Sequence, residues 1–140
     1  MAGIGGKCLC GAVSFNVELA DPNVHACHCT KCRRWAGGPV LAVEHKADVN
    51  FVGADNVTVY QSSEWAERGF CKICGTALFW RLQGGGHYAL MAGTLDDESR
   101  LTLASQIFID EKPAFYDFAN DTPKLTGAEV FAQFNAANRD

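Results

Sequence analysis

The chain has 140 residues, a length that fits one domain, and its apolar runs are far shorter than the roughly 20 residues needed to span a bilayer. Its formal net charge of −4 argues against nonspecific binding to the phosphates of nucleic acid. Composition therefore predicts a single domain over residues 1–140, with neither a membrane nor a nucleic acid as its partner.

The hydrophobic pattern along the chain is mostly that of β-strands. In segment 12–19, apolar residues alternate with polar ones, so that Val13, Phe15, Val17 and Leu19 share one face. Further short strands are predicted at Val40–Val43, Val49–Val52, Val57–Gln61, Ala77–Arg81, Tyr88–Met91 and Leu103–Ile109. Many short strands separated by turn residues indicate a mainly β protein built as an antiparallel, meandering sheet assembly.

Helical spacing occurs only near the C-terminus, from Gly127 to Asn138, where Val130, Phe131 and Phe134 fall on one side. Thr126 precedes this stretch and Glu129 follows three residues later, which is the pattern of a capping box. The sequence thus predicts a short C-terminal helix that begins directly after Thr126.

Seven cysteines fall into three clusters. They are Cys8 and Cys10, then Cys27, Cys29 and Cys32, then Cys71 and Cys74. Disulfides are the competing interpretation, but an odd count leaves one thiol unpaired, and the N-terminus lacks the charged and then apolar order of a signal peptide. Cysteines one or two residues apart suit a metal better than each other. The pattern favours zinc binding in a reducing, cytoplasmic environment.

The two outer pairs together supply four thiolates, which is the closed tetrahedral set of a structural zinc. Gly11 and Gly75 each follow the second cysteine of a pair, where a turn toward the sulfurs calls for φ > 0. We expect this site to hold together segments that are far apart in sequence.

The middle cluster supplies three thiolates and leaves a fourth position for water or substrate. His25 or His28 could instead complete a closed site, although His28 alternates with its neighbouring cysteines and should point away from them. The following residues, Lys31, Arg33 and Arg34, form either a solvated basic loop or a binding surface for the carboxylates of a thiol. Trp35 is a candidate wall of the same pocket.

Four motifs, in this order, resemble the glutathione-dependent formaldehyde-activating enzyme family, which includes Mss4-like and CENP-V-related zinc proteins. The motifs are Cys8-x-Cys10-Gly11, Cys27-His28-Cys29-x-x-Cys32-Arg33-Arg34, Gly69-Phe70-Cys71-x-x-Cys74-Gly75-Thr76 and Gly93-Thr94-Leu95-Asp96. The resemblance runs from Lys7 to about Phe118, which would be the core of the domain (residues 7–118). It implies an Mss4-like fold with two zinc ions per chain. By resemblance, a structural zinc falls on Cys8, Cys10, Cys71 and Cys74, and a second zinc on Cys27, Cys29 and Cys32.

The activity implied by the resemblance is that of S-(hydroxymethyl)glutathione synthase, a carbon–sulfur lyase that joins glutathione to formaldehyde. Its catalytic centre would be Cys27, Cys29 and Cys32, with Arg33, Arg34 and Trp35 as candidate substrate contacts. Two other hypotheses stand beside a zinc lyase: a zinc-stabilised binding module without catalysis, and a redox-sensing or metal-sensing thiol protein.

Overall fold

The structure, a computed structural model, describes residues 3–137, which form a mainly β protein, as predicted. Its strands are β1 Gly3–Lys7, β2 Ser14–Glu18, β3 Asn23–Cys27, β4 Val40–His45, β5 Val57–Gln61, β6 Ala66–Cys71, β7 Ala77–Leu82, β8 Tyr88–Met91, β9 Thr102–Ile107 and β10 Lys124–Leu125. The α-helices are α1 Thr30–Ala36 and α2 Gly127–Ala137. Within residues 3–137 no helix is long and apolar enough to cross a membrane.

The described residues divide into two compact units, which we call unit 1 (3–23 and 42–101) and unit 2 (24–41 and 102–137). In unit 1, β1 and β2 form an antiparallel hairpin, and β4, β8, β7, β6 and β5 are neighbours in that order, all antiparallel. From β5 to β8 this is the predicted meander, because strands that follow each other along the chain also pair side by side, whereas β4 pairs with β8 from a distant part of the sequence.

The core of unit 1 is apolar and partly aromatic. The buried ring of Phe79 lies 5.0 Å from that of Tyr88 and 5.4 Å from that of Phe51, measured between centroids. A Cβ at Gly69 would overlap the ring of Phe79, so strand β6 passes too close to this cluster for a larger residue. The pairing of β6 with β7 shifts register between Gly69 and Phe70, next to this cluster.

Unit 2 combines the strands β3, β9 and β10 with both helices. Helix α1 follows β3 after two residues and ends at Gly37, whose φ of 83° is the left-handed conformation typical of a helix C-terminus. Helix α2 begins with the predicted capping box: Glu129 N–H donates to Thr126 Oγ1 (3.2 Å), and Thr126 N–H donates to a Glu129 carboxylate oxygen (2.9 Å). Its predicted last residue, Asn138, lies outside the described residues.

Two strand predictions were wrong in part. Segment 49–52 was predicted as a strand, but it forms one isolated β-bridge, between Val52 and Ser14. Its remaining residues have irregular backbone without a ladder of strand hydrogen bonds. Strand β9 ends at Ile107, since Phe108 adopts φ 53° and starts a 3₁₀ turn over Ile109–Glu111. The sequence patterns also missed β1, β3, β6, β10 and α1, which are short or contain glycine, cysteine and charged residues.

Candidate metal centres

The sulfur atoms of Cys8, Cys10, Cys71 and Cys74 come together in unit 1, all within 4.8 Å of one another. Cys8 Sγ lies 3.6 Å from Cys10 Sγ, which lies 3.8 Å from Cys71 Sγ. Zinc with Zn–S bonds of about 2.3 Å in a tetrahedron separates its ligands by roughly 3.8 Å, whereas a disulfide brings the sulfurs to about 2.05 Å. All four cysteines are free thiols, and their spacing fits a tetrahedral thiolate site.

The backbone on both sides of this group turns toward the sulfurs. Gly11 N–H donates to Cys8 O (3.1 Å) and Gly75 N–H donates to Cys71 O (2.8 Å), with φ values of 81° and 79° at the two glycines. The predicted need for positive φ at these positions is confirmed. Val13 N–H, in addition, points at Cys8 Sγ over 3.4 Å, a contact that favours the thiolate.

Thr76 joins the two halves of the four-cysteine group. Its hydroxyl accepts a hydrogen bond from Leu9 N–H (3.0 Å), so its own proton is available for Cys74 Sγ at 3.1 Å. The pKa of Cys74 is lowered to about 5. The main causes are hydrogen bonds from the hydroxyl and the amide of Thr76, and a backbone hydrogen bond from Cys10 contributes less. These contacts favour the thiolate of Cys74, the form in which cysteine binds metal.

The sulfur atoms of Cys27, Cys29 and Cys32 form a second group, in unit 2, again within 4.8 Å of one another. Cys27 is the last residue of β3, Cys29 directly precedes α1, and Cys32 lies in the first turn of α1. The Sγ of Cys29 accepts a hydrogen bond from Cys32 N–H (3.4 Å). The pKa of the Cys27 thiol is raised, first by the neighbouring sulfur of Cys29, next by that of Cys32, and also by burial. Three thiolates so close together repel one another, and a bound cation relieves that repulsion.

His28 does not join this group of ligand atoms. Its ring is fully buried, with Nε2 2.9 Å from Gln106 Oε1 and Nδ1 2.8 Å from the hydroxyl of Tyr116. This placement agrees with the expectation that His28 points away from its flanking cysteines. Burial, aided by the charges of Lys112 and Arg33, lowers the pKa of His28, so the ring is neutral at pH 7. His25, the other histidine considered, contacts Ser105 Oγ through Nδ1 at 2.6 Å.

The structure gives the three candidate substrate residues different surroundings. Arg33 contacts backbone: its Nε donates to His28 O (2.9 Å) and one terminal nitrogen donates to Glu111 O (3.1 Å). Arg34 is exposed and Trp35 is half-buried, both on α1. Lys31, Arg34 and Trp35 have the i, i+3, i+4 spacing of one helix face, and Trp35 lies one turn after Cys32.

Most residues that support the two groups were missed by sequence reasoning. Thr76 stands in a motif quoted for the family resemblance but was given no role, whereas Gln106, Tyr116 and Glu111 are ordinary polar residues more than 70 residues from the cysteine loop that they contact. A Glu111 carboxylate oxygen accepts from both Thr30 N–H and Thr30 Oγ1 at 3.0 Å, at the start of α1. Only the tertiary fold brings such residues to the site.

A family model described as glutathione-dependent formaldehyde-activating enzyme matches residues 3–111. The chain belongs to this family. The predicted resemblance is thereby confirmed, and the two cysteine groups described above lie within the matched residues.

Individual relatives agree with this assignment. The chain is 37% identical over 126 residues to a protein of Schizosaccharomyces pombe named as an uncharacterized lyase, an alignment that covers 89% of this chain and 92% of that protein. It is 35% identical over 83 residues, or 53% of each chain, to a putative glutathione-dependent formaldehyde-activating enzyme of Halomonas elongata. The fold is similar to the crystal structure of a Rhodobacter sphaeroides protein, with TM-score 0.57 and 31% identity over 66% of this chain and 87% of that one. Both of these sequence relatives are named as enzymes.

Proposed function

We propose that the protein is a zinc-dependent carbon–sulfur lyase-type enzyme that acts on the adduct of a small thiol and an aldehyde, similar to S-(hydroxymethyl)glutathione synthase. The observation that carries this proposal is the second cysteine group, which offers three sulfur ligands among the described residues, one fewer than a closed tetrahedral zinc site. Family membership supplies the thiol and the aldehyde, glutathione and formaldehyde, as the first substrates to test.

The chemistry requires a sulfur nucleophile and a polarised carbonyl. Cys27, Cys29 and Cys32 would hold a zinc ion, which would lower the pKa of a substrate thiol bound to it. In the overall reaction a new S–C bond forms, the carbonyl π bond breaks, and the thiol proton ends on the former carbonyl oxygen. No nucleophile from the protein is needed, and the pocket contributes by holding sulfur and carbon within reach of each other.

Substrate contacts are proposed on the face of α1 beyond Cys32. Arg34 is exposed and suited to a carboxylate of an anionic thiol such as glutathione, and Lys31 lies one turn before it. Trp35 would provide an apolar wall next to Cys32. Because Arg33 is engaged with the backbone carbonyls of His28 and Glu111, Arg34 is the better residue for testing charge recognition, while the substrate role of Arg33 stays a prediction.

Calorimetry with a thiol panel tests the binding step. We expect glutathione to bind the zinc-loaded protein and to bind Cys29→Ser far more weakly, because that variant loses one of three ligands. Arg34→Glu should weaken a carboxylated thiol more than a neutral thiol of similar size. Lys46→Glu is the matched control, since it reverses an exposed charge in unit 1 and should affect neither thiol.

Exchange NMR of formaldehyde and glutathione tests the reaction step, with the rate in the absence of protein as background. Faster exchange with the zinc-loaded protein, lost in Cys29→Ser, is the expected result. If no thiol binds the protein carrying two zinc ions at millimolar concentration, the lyase proposal fails. The alternative, a zinc-stabilised binding module without catalysis, then becomes the better account.

A further inference from the structure

We propose that His28 is a positioning residue that holds the Cys27–Cys29 segment in the geometry needed to bind metal. This inference rests on the proposed function only in taking Cys27, Cys29 and Cys32 as metal ligands. His28 itself contributes no ligand atom to the group, and it lies between two residues that do. Its role would be to fix the backbone from which two of the three sulfurs project.

Every polar atom of His28 has a partner in unit 2. Its N–H donates to Ile107 O (3.1 Å), and its carbonyl oxygen accepts from Arg33 Nε (2.9 Å). The ring adds the contacts with Gln106 and Tyr116 at 2.9 and 2.8 Å. His28 is fully buried, and its hydrogen-bond partners lie on β9, on α1 and in the segment that follows the 3₁₀ turn at 109–111.

The ring contacts have a defined direction. Gln106 Nε2 donates to Thr122 Oγ1 (3.2 Å), which leaves Gln106 Oε1 as the acceptor facing His28. His28 Nε2 therefore carries the proton, and Nδ1 accepts from the Tyr116 hydroxyl. The ring of Phe118 packs 5.7 Å from that of His28, between centroids. The imidazole can neither flip nor rotate without breaking hydrogen bonds that are buried or partly buried.

Such a residue limits the freedom of the cysteines on both sides. In the extended backbone at the end of β3, side chains alternate, so anchoring the ring of His28 on one side keeps the sulfurs of Cys27 and Cys29 on the other. Supporting residues of this kind commonly change metal affinity by about 10- to 100-fold when they are removed. Since the four-cysteine group uses none of these contacts, its affinity should not depend on His28.

Cobalt(II) titration tests the proposal, because thiolate-bound cobalt has charge-transfer and d–d bands that report ligand number and geometry. The variants are His28→Ala, which removes the ring, and Tyr116→Phe, which removes only the hydroxyl. Tyr88→Phe is the matched control, because it also removes a tyrosine hydroxyl that makes one side-chain hydrogen bond. That bond is accepted from Arg81 (3.0 Å) and lies in unit 1. Wild type and each variant are stripped of metal, which should unfold them, and are then refolded by stepwise addition of cobalt(II), with folding followed by circular dichroism.

We expect the first cobalt equivalent to bind all variants as it binds wild type. The second should bind His28→Ala at least about tenfold more weakly, with shifted d–d bands, and Tyr116→Phe should show a smaller change in the same direction. Tyr88→Phe should match wild type for both equivalents. The proposal would be overturned if both Tyr116→Phe and folded His28→Ala bound the second cobalt equivalent with the affinity and spectral bands of wild type. If His28→Ala does not fold, Tyr116→Phe alone decides. If wild type itself binds only one equivalent of cobalt, the proposed function fails instead. That outcome is seen in wild type, whereas failure of the His28 proposal is seen in the variants, so the two can be distinguished.

Discussion

The two cysteine groups differ in how much of the chain they join. The four-cysteine group brings together residues 61 positions apart, as in the contact between Cys10 and Cys71, and it closes two turns whose glycines have positive φ. The three-cysteine group occupies one local stretch, residues 27–32, and is itself supported by contacts from residues 106–118. We therefore expect the four-cysteine group to hold the fold, and the fold to hold the three-cysteine group.

This difference in connectivity gives the two groups different chemical freedom. A site that stabilises the fold gains from being closed, since a complete set of ligands maximises the binding energy available for folding. A site held by its surroundings can leave a ligand position open without losing the structure around it. The comparison therefore predicts that damage to the four-cysteine group appears first in stability, and damage to the three-cysteine group first in metal and thiol binding.

Removal of one ligand from each group should give the largest contrast. Cys71→Ser should abolish soluble folding, because structural zinc sites contribute on the order of 10 kcal/mol, as much as the whole stability of a domain. Cys29→Ser should keep the fold and lose the second metal. Thermal unfolding by circular dichroism, together with metal analysis, checks both variants. An equal loss of melting temperature in the two would show that the roles of the groups have been assigned the wrong way round.

Two glycines with positive φ offer a second contrast of intermediate size. A Cβ at Gly53 would overlap the carbonyl oxygen of Ala12, next to the turn that carries Cys10, whereas at Gly37 nothing lies within 4 Å. We expect Gly53→Ala to lower the free energy of unfolding by about 3 kcal/mol, through backbone displacement plus strain, and Gly37→Ala by about 1 kcal/mol through strain alone. Chemical denaturation measures both. A larger effect at Gly37 would contradict this account of unit 1.

The smallest contrast concerns two glutamates that accept hydrogen bonds at helix starts. Glu111 contacts Thr30 at the start of α1, and Glu129 contacts Thr126 at the start of α2. Each change to alanine should lower the free energy of unfolding by about 1 kcal/mol, the usual value for such caps. Only Glu111→Ala should also weaken the second metal, by a few-fold, since α1 carries Cys32. Equal second-metal affinities in the two variants would remove Glu111 from the support of the site.

Much of this architecture could be predicted from the sequence, for reasons visible in particular residues. Alternation in segment 14–18 identified β2 because Phe15 and Val17 are buried and Asn16 and Glu18 are exposed, and residues typical of strands identified Val57–Gln61. Thr126 with Glu129 identified the start of α2. The two cysteine groups were predictable because the members of each cluster are close in sequence, and because the two outer pairs together make the four ligands of a tetrahedral zinc site.

Other features depend on contacts that no local pattern reveals. Helix α1 is seven residues long and begins among cysteines, too short for helical periodicity to be read. Strand β9 ends before Phe108, whose φ of 53° is a value that such a residue ordinarily avoids. Arg33 was predicted as a substrate contact from its charge, and that role stays a prediction. Its guanidinium donates to His28 O, Glu111 O and Thr30 Oγ1, and the contact with Glu111 depends on where the fold places that residue.

The most direct test of the central claim is the number of zinc ions per chain, measured by native mass spectrometry before and after mild chelation. The account predicts two zinc ions in the fully loaded protein and one after chelation, with the folded charge-state distribution retained because the remaining ion is in the four-cysteine group. A single zinc that does not rise when zinc is supplied would contradict it. So would unfolding that accompanies loss of the first ion, because the site lost first would then be the one that holds the fold.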